Sequence, residues 1–318
     1  MDWFSAADGG PMVATRAIHF AATAIVTGTL VFQAVVANPA LRSQEAAAKP
    51  FRTQTRNVAW ISLAVAVISA LVWLLLLTMS LSDEGVGEAI TSGALRDVIN
   101  LTQFGWISQI RLALAIVLAM CLVFDRSAWW RGLALGAAVA LMALIAWTGH
   151  AGSTPHTLGY VHLVADVLHL FAAAAWIGGL VSLVLPFAAI TKIPASPRAA
   201  LAHDAASRFS TLGMLSVAIL VLSGIVNAWI LVGSFEGLFV TEYGQLLTLK
   251  ILIFACMLAF SAVNRFSLTP RLAPSSDDPG AALRQIKRNS TIEIALGLAV
   301  FAVVGMLGTQ HPAIHLLK

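Results

Sequence analysis

The chain is 318 residues long, 59% hydrophobic and only 11% charged, a composition that excludes an ordinary soluble domain and calls for lipid as the solvent. Its net charge is +4, but the basic residues fall in alternate loops, so the excess reads as membrane topology and excludes a nucleic-acid partner. No CxxC or HExxH pattern points to a structural or hydrolytic zinc site.

Residues 1–15 carry Asp2 and Asp8 and no positive charge before Arg16, unlike the basic start of a secretory signal, so the first span is expected to be retained. Apolar runs of about 20 residues, the length that crosses a bilayer as a helix, follow at 16–37, 58–79, 104–124, 130–149, 161–185, 209–233, 244–263 and 291–310. The expected fold is an all-α polytopic membrane protein of eight helices. Residues 81–100 and 234–243 are expected to be outer caps with short helices, and 271–281 to be a linker containing Pro and Asp.

Orientation follows from Lys and Arg. The loops after spans one, three, five and seven hold fourteen of the nineteen, and the alternate loops offer only Arg96. Basic loops stay in the cytoplasm, so both termini are expected in the periplasm of a bacterial inner membrane. His19, His150, His156, His162, His169, His311 and His315 then lie in or near the outer half of the bilayer, and His203 alone is cytoplasmic.

The two halves resemble each other helix by helix. In spans one and five, His19 and Gly28 match His169 and Gly178 at one offset. In spans three and seven, Phe104-Gly105, Arg111 and Asp125-Arg126 match Tyr243-Gly244, Lys250 and Asn264-Arg265 at another. Thr148-Gly149-His150 matches Thr309-Gln310-His311. The expected organisation is two parallel four-helix repeats, 16–149 and 161–310, joined by a periplasmic connector at 150–160 with a tail at 311–318. Sites in such proteins often lie between the repeats.

Span five carries the densest chemistry. His162, Asp166 and His169 are spaced by four and three residues, so they share one helical stripe, which Trp176 continues. Ionisable groups in hydrocarbon are costly and mark function. The expected site is a metal held by His162, His169 and the repeat partner His19, with His150, His156, His311 and His315 collecting it at the outer mouth. Asp166 would orient a ring or balance charge, with Lys250 or Arg111 able to neutralise it. Imidazole suits copper, zinc, iron and nickel alike, and thioethers suit Cu(I), which makes Met12, Met142 and Met306 possible soft ligands, although Met more often fills gaps. The alternative is a structural polar network between helices. Cys121 and Cys256 read as packing, and Glu293 is expected to pair with a basic inner-loop residue.

The run from Asp166 through His169 and Trp176 to Gly178-Gly179, preceded by Thr148-Gly149-His150, resembles the bacterial copper-resistance D (CopD) family. The likeness continues through Tyr243-Gly244, Lys250, Asn264-Arg265, Leu268 to Leu272 and Leu307-Gly308-Thr309. The resemblance implies an inner-membrane protein that handles copper, supposed to move it from periplasm to cytoplasm, with a periplasmic copper carrier as a possible donor. The histidines after Thr309 depart from the family's end motif. On this reading the chain is no enzyme. A second resemblance, of the His-x6-Trp-x-Gly pattern to the HemJ family of haem-binding protoporphyrinogen oxidases, implies haem b between paired histidines. A third reading is a copper sensor or assembly protein without transport.

Overall fold

In the computed structural model, residues 9–41, 45–125, 127–189, 195–273 and 278–316 are described, without the side chains of 45–50, 185–189, 195–200 and 315. Among the described residues all regular structure is helical. Eight helices are long and apolar enough to cross a membrane. They are α1 (Gly10–Phe32), α2 (Glu45–Ser82), α3 (Gln103–Val123), α4 (Ala128–Ala143, which reaches spanning length with the 3-10 turn Leu144–Thr148), α5 (His156–Ala189), α6 (Ala195–Val232), α7 (Glu242–Val263) and α8 (Pro279–Leu307). A π-helical turn extends α1 and another, Asn264–Leu268, extends α7. The eight expected spans are all present. Several helices run well past them, because apolarity marks only the part inside hydrocarbon while polar residues such as Thr53 to Asn57 in α2 continue the same helix.

The expected caps are also helical: Val86–Thr91 and Ala94–Leu101 precede α3, and Phe235–Val240 precedes α7. Their junctions use the same chemistry at matched positions. Thr102 caps α3 by accepting from the Gly105 amide at 3.0 Å, and Thr241 caps α7 by accepting from the Gly244 amide at 3.0 Å. Such caps satisfy otherwise unpaired helix-start amides. Gly105 and Gly244 are both required, since a Cβ at either would strike the backbone of the preceding short helix. Trp106 Nε1 donates to Asn100 O as Gln245 Nε2 donates to Phe239 O, both at 3.1 Å.

At the centre, α1 packs along α5. The two cross at Gly28 and Gly178, where a Cβ on either residue would overlap the other's Cα. Without a hydrophobic drive between helices in lipid, close backbone approach of small residues supplies the contact. Ser182 Oγ donates to Thr29 Oγ1 at 2.9 Å beside the crossing. Around this pair, α1 also meets α2, α4 and α8, while α5 meets α6, α8 and α4. The core they share contains Phe20, Phe32, Trp73, Met142, Trp176 and Leu180. The outward faces of α3, α6 and α7 carry exposed residues such as Ile116, Leu222 and Leu252, as lipid contact requires.

Candidate functional site

In the second half the polar stripe of α5 meets α6 and α7. His169 donates from Nδ1 to Ser223 Oγ at 3.0 Å, and that hydroxyl donates onward to Ile219 O at 2.6 Å. The chain of donors fixes the tautomer: Nδ1 carries the proton and Nε2 keeps its lone pair. One turn away, Asp166 Oδ1 accepts from Asn227 Nδ2 at 3.3 Å. Lys250 of α7 acts electrostatically on both Asp166 and His169 without making an ion-pair contact. Gly224 leaves room at the ring, its missing Cβ lying 3.6 Å from His169 Cε1.

Two turns nearer the start of α5 is a second imidazole station. His162 is buried, and its Nδ1 donates to Thr154 Oγ1 at 2.7 Å, a hydroxyl that donates in turn to His150 O at 2.9 Å. His162 Nε2 is thereby left as an acceptor, with no hydrogen bond to it among the described residues. His150 lies close enough to act on His162, sends Nε2 to Leu307 O at 3.4 Å and meets the Tyr243 ring edge-on at 6.0 Å. Tyr243 is buried between this station and Asp166. His156, with a positive φ of 60° at the start of α5, and His311, just after α8, are exposed, and His315 lies in the turn Ala313–His315 with its side chain outside the described residues.

His19 is in neither station. Its Nδ1 donates to Ala66 O and meets Ser69 Oγ, both at 3.0 Å, and its Nε2 accepts from Arg111 Nη2. Both ring nitrogens are therefore occupied. Arg16 stacks its guanidinium 4.9 Å over Trp73, which packs edge-on against both His19 and Phe104. So Lys250, not Arg111, is the cation near Asp166.

The sequence grouped His162, His169 and His19 around one ion, and the helices separate them. His162 and His169 are about 10 Å apart along α5 by helical rise, and each is tied to a different hydroxyl. Among the described residues no three His, Cys, Asp or Glu side chains gather as a metal cage. Met12 and Met142 are buried core residues, and Met306 packs beside Tyr243 and Leu307. Cys121 is buried and Cys256 is exposed on α7, both free thiols. The residues missed from sequence are Thr154, Ser223, Asn227 and Tyr243. Ser69 and Ser223 share nearly the same offset as the histidine pair, a signal present in the sequence but masked by the abundance of small polar residues in membrane helices.

Trp176, further along the stripe, lies toward the C-terminal end of α5. Its indole Nε1 lies beside the buried carboxyl of Glu293. Glu293 Oε1 accepts from Asn264 Nδ2 at 2.7 Å, so an amide takes the place of the basic partner expected from sequence. The π-helical turn at Asn264 turns this amide toward α8.

Two family models match the chain: "Copper resistance protein D" over residues 203–307 and "Copper resistance protein D-like, N-terminal domain" over residues 6–160. Among curated proteins, "Copper resistance protein D" of Pseudomonas syringae pv. tomato is 29% identical over 83% of this chain and 84% of its own length. "Copper transport protein CutJ" of Bacillus subtilis (strain 168) is 29% identical over 90% of this chain and 50% of its own length. "Inner membrane protein YebZ" of Escherichia coli (strain K12) is 30% identical over 94% of this chain and 98% of its own length. No solved structure matches the chain.

Proposed function

The chain belongs to the copper resistance protein D family of multi-pass membrane proteins, and from that premise we propose that it binds copper and carries it from the periplasm to the cytoplasm. Cu(I) is the form carried, a periplasmic copper carrier is the donor, and both termini are periplasmic. The protein is a carrier and not an enzyme. Its two halves are parallel four-helix repeats, a reading supported by the matched caps at Thr102 and Thr241.

One observation carries the copper reading: on α5, His162 and His169 each have Nδ1 tied to a hydroxyl and Nε2 left over. Imidazoles anchored on one nitrogen present the other as an oriented ligand. Two stations about 10 Å apart suit a moving ion better than one cage, since passage needs sites strong enough to enter and weak enough to leave. Copper reaches His162 from His150, His156, His311 and His315 at the mouth, and passes to His169, where Asp166 balances its charge beside Lys250. Haem ligation by His19 with His169 is disfavoured by the Arg111 guanidinium on His19 Nε2.

The test is Cu(I) titration of the purified protein against a chromophoric chelator, with uptake into sealed vesicles. His162→Ala with His169→Ala is expected to abolish both while the protein stays monodisperse. Unchanged binding and uptake would sink the reading. Binding without flux would point to a sensor or assembly protein, and a stoichiometric Soret band that shifts on reduction would point to haem.

A further inference from the structure

Glu293 sits on α8 at 1% exposure, and its Oε2 meets no donor at full hydrogen-bond geometry among the described residues, the Trp176 indole N–H being the donor beside the carboxyl. Its other oxygen ends a row of amides: Gln285 Nε2 donates to Asn289 Oδ1 at 3.3 Å, Asn289 Nδ2 to Asn264 Oδ1 at 2.9 Å, and Asn264 Nδ2 to Glu293 Oε1 at 2.7 Å. Every link donates toward the carboxyl, so Oε1 is committed as an acceptor and only Oε2 is left to carry a proton.

Glu293 also lines a cavity of about 380 Å³ between α5, α6, α7 and α8, walled by Leu183, Phe209 and Leu258. Arg265 is the charged group sharing that cavity. It donates to Ser210 Oγ at 2.5 Å and makes no ion pair with Glu293. From the other elements, α5 offers the Trp176 indole, α6 offers Ser210 and the α8 turn offers Ser290. Among the described residues no cation in contact balances a carboxylate here, and an unpaired buried carboxylate is too costly to persist. The site needs either a proton on Oε2 or a cation in the cavity.

We propose that Glu293 is a proton-exchange site: its carboxyl is protonated when the cavity is vacant and releases that proton when a copper ion enters beside it. The O–H bond of Oε2 breaks, the proton leaves to water, and the carboxylate takes the ion's charge, with no change of oxidation state. The Met214 thioether on the same cavity wall is the donor type that suits Cu(I). Trp176 lies about 10 Å further along the α5 stripe than His169, which puts the exchange site downstream of the second imidazole station. The copper part rests on the function proposed above; the protonation does not.

The experiment is infrared difference spectroscopy of the full-length protein in lipid nanodiscs at neutral pH, with Cu(I) as the probe. A protonated-carboxyl stretching band is expected in the copper-free protein, absent from Glu293→Gln, shifted in Glu293→Asp and retained in Asp166→Asn. Cu(I) is expected to remove the band from the wild type. If Glu293→Gln and Glu293→Asp both leave the carboxyl region unaltered, Glu293 is ionised and the proposal is overturned. A band that persists while the wild type binds copper overturns the exchange. A wild type that binds no copper defeats the proposed function and the exchange with it, while the copper-free spectra still decide the protonation.

Discussion

The two halves of the molecule carry a histidine at the same place and treat it in opposite ways. In the first, His19 is tied to Ser69 on one nitrogen and to Arg111 on the other, beside Arg16 stacked on Trp73. In the second, His169 Nδ1 is tied to Ser223, the Leu220 backbone also hydrogen-bonds the ring, and the residue aligned with Arg16 is Asp166. Trp73 aligns with Asn227 and Phe104 with Tyr243. One half thus surrounds its imidazole with two arginines and aromatic rings, and the other with a carboxylate, an amide and the single cation Lys250, which aligns with Arg111. Among the described residues the first setting holds two cations and no carboxylate, the second one cation beside a carboxylate, so a cationic ligand is opposed less in the second. A matched position does not give matched chemistry; the neighbours within hydrogen-bond reach decide.

The comparison is broken most severely where the halves touch. Gly178→Leu drives a side chain into the backbone of α1 at Gly28 and is expected to cost more than about 3 kcal/mol. Loss of the monodisperse peak on size exclusion would be the readout, and a stable variant would mean that the crossing is looser than described.

Between the histidines the expected effects differ in kind. His169→Ala should weaken copper binding on the order of tenfold or more with the fold intact. His19→Ala should leave copper affinity unchanged but strip Arg111 of its acceptor, lowering stability by about 1–3 kcal/mol. Parallel chelator titrations and thermal melts separate the two, and equal copper losses would contradict the division of roles.

Where the halves are alike, the effects should be alike. Thr102→Ala and Thr241→Ala each remove one helix cap and are each expected to cost about 1 kcal/mol, read as matched shifts in melting temperature. Smallest of all are the exposed ion pairs, Arg131 with Asp125 in the first half at 3.8 Å and Arg208 with Asp204 in the second at 2.9 Å. Alanine at either arginine should change stability by less than about 0.5 kcal/mol, and a larger shift at one would expose an asymmetry between the two halves.

Much of this was legible in the chain itself. Hydrocarbon demands about 20 apolar residues per crossing, and a demand that strict leaves eight unmistakable runs. Helical periodicity put His162, Asp166, His169 and Trp176 on one stripe, because that geometry is local to α5. What no local rule supplies is the partner across the helix interface. Thr154, Ser223 and Asn227 are short, common residues whose meaning comes only from where α5, α6 and the segment before α5 bring them. The same holds for Arg111, which the sequence offered beside Lys250 as a neutraliser of Asp166 and which meets His19 instead, and for Glu293, whose expected basic partner proved to be the Asn264 amide. The sequence by itself determined the helices, their apolar faces and the inventory of ionisable groups, since those follow from solvation and backbone geometry. The tertiary structure alone decided which imidazole keeps a lone pair and which carboxyl lacks a counter-charge, since a hydrogen bond is settled by ångströms between helices distant in sequence.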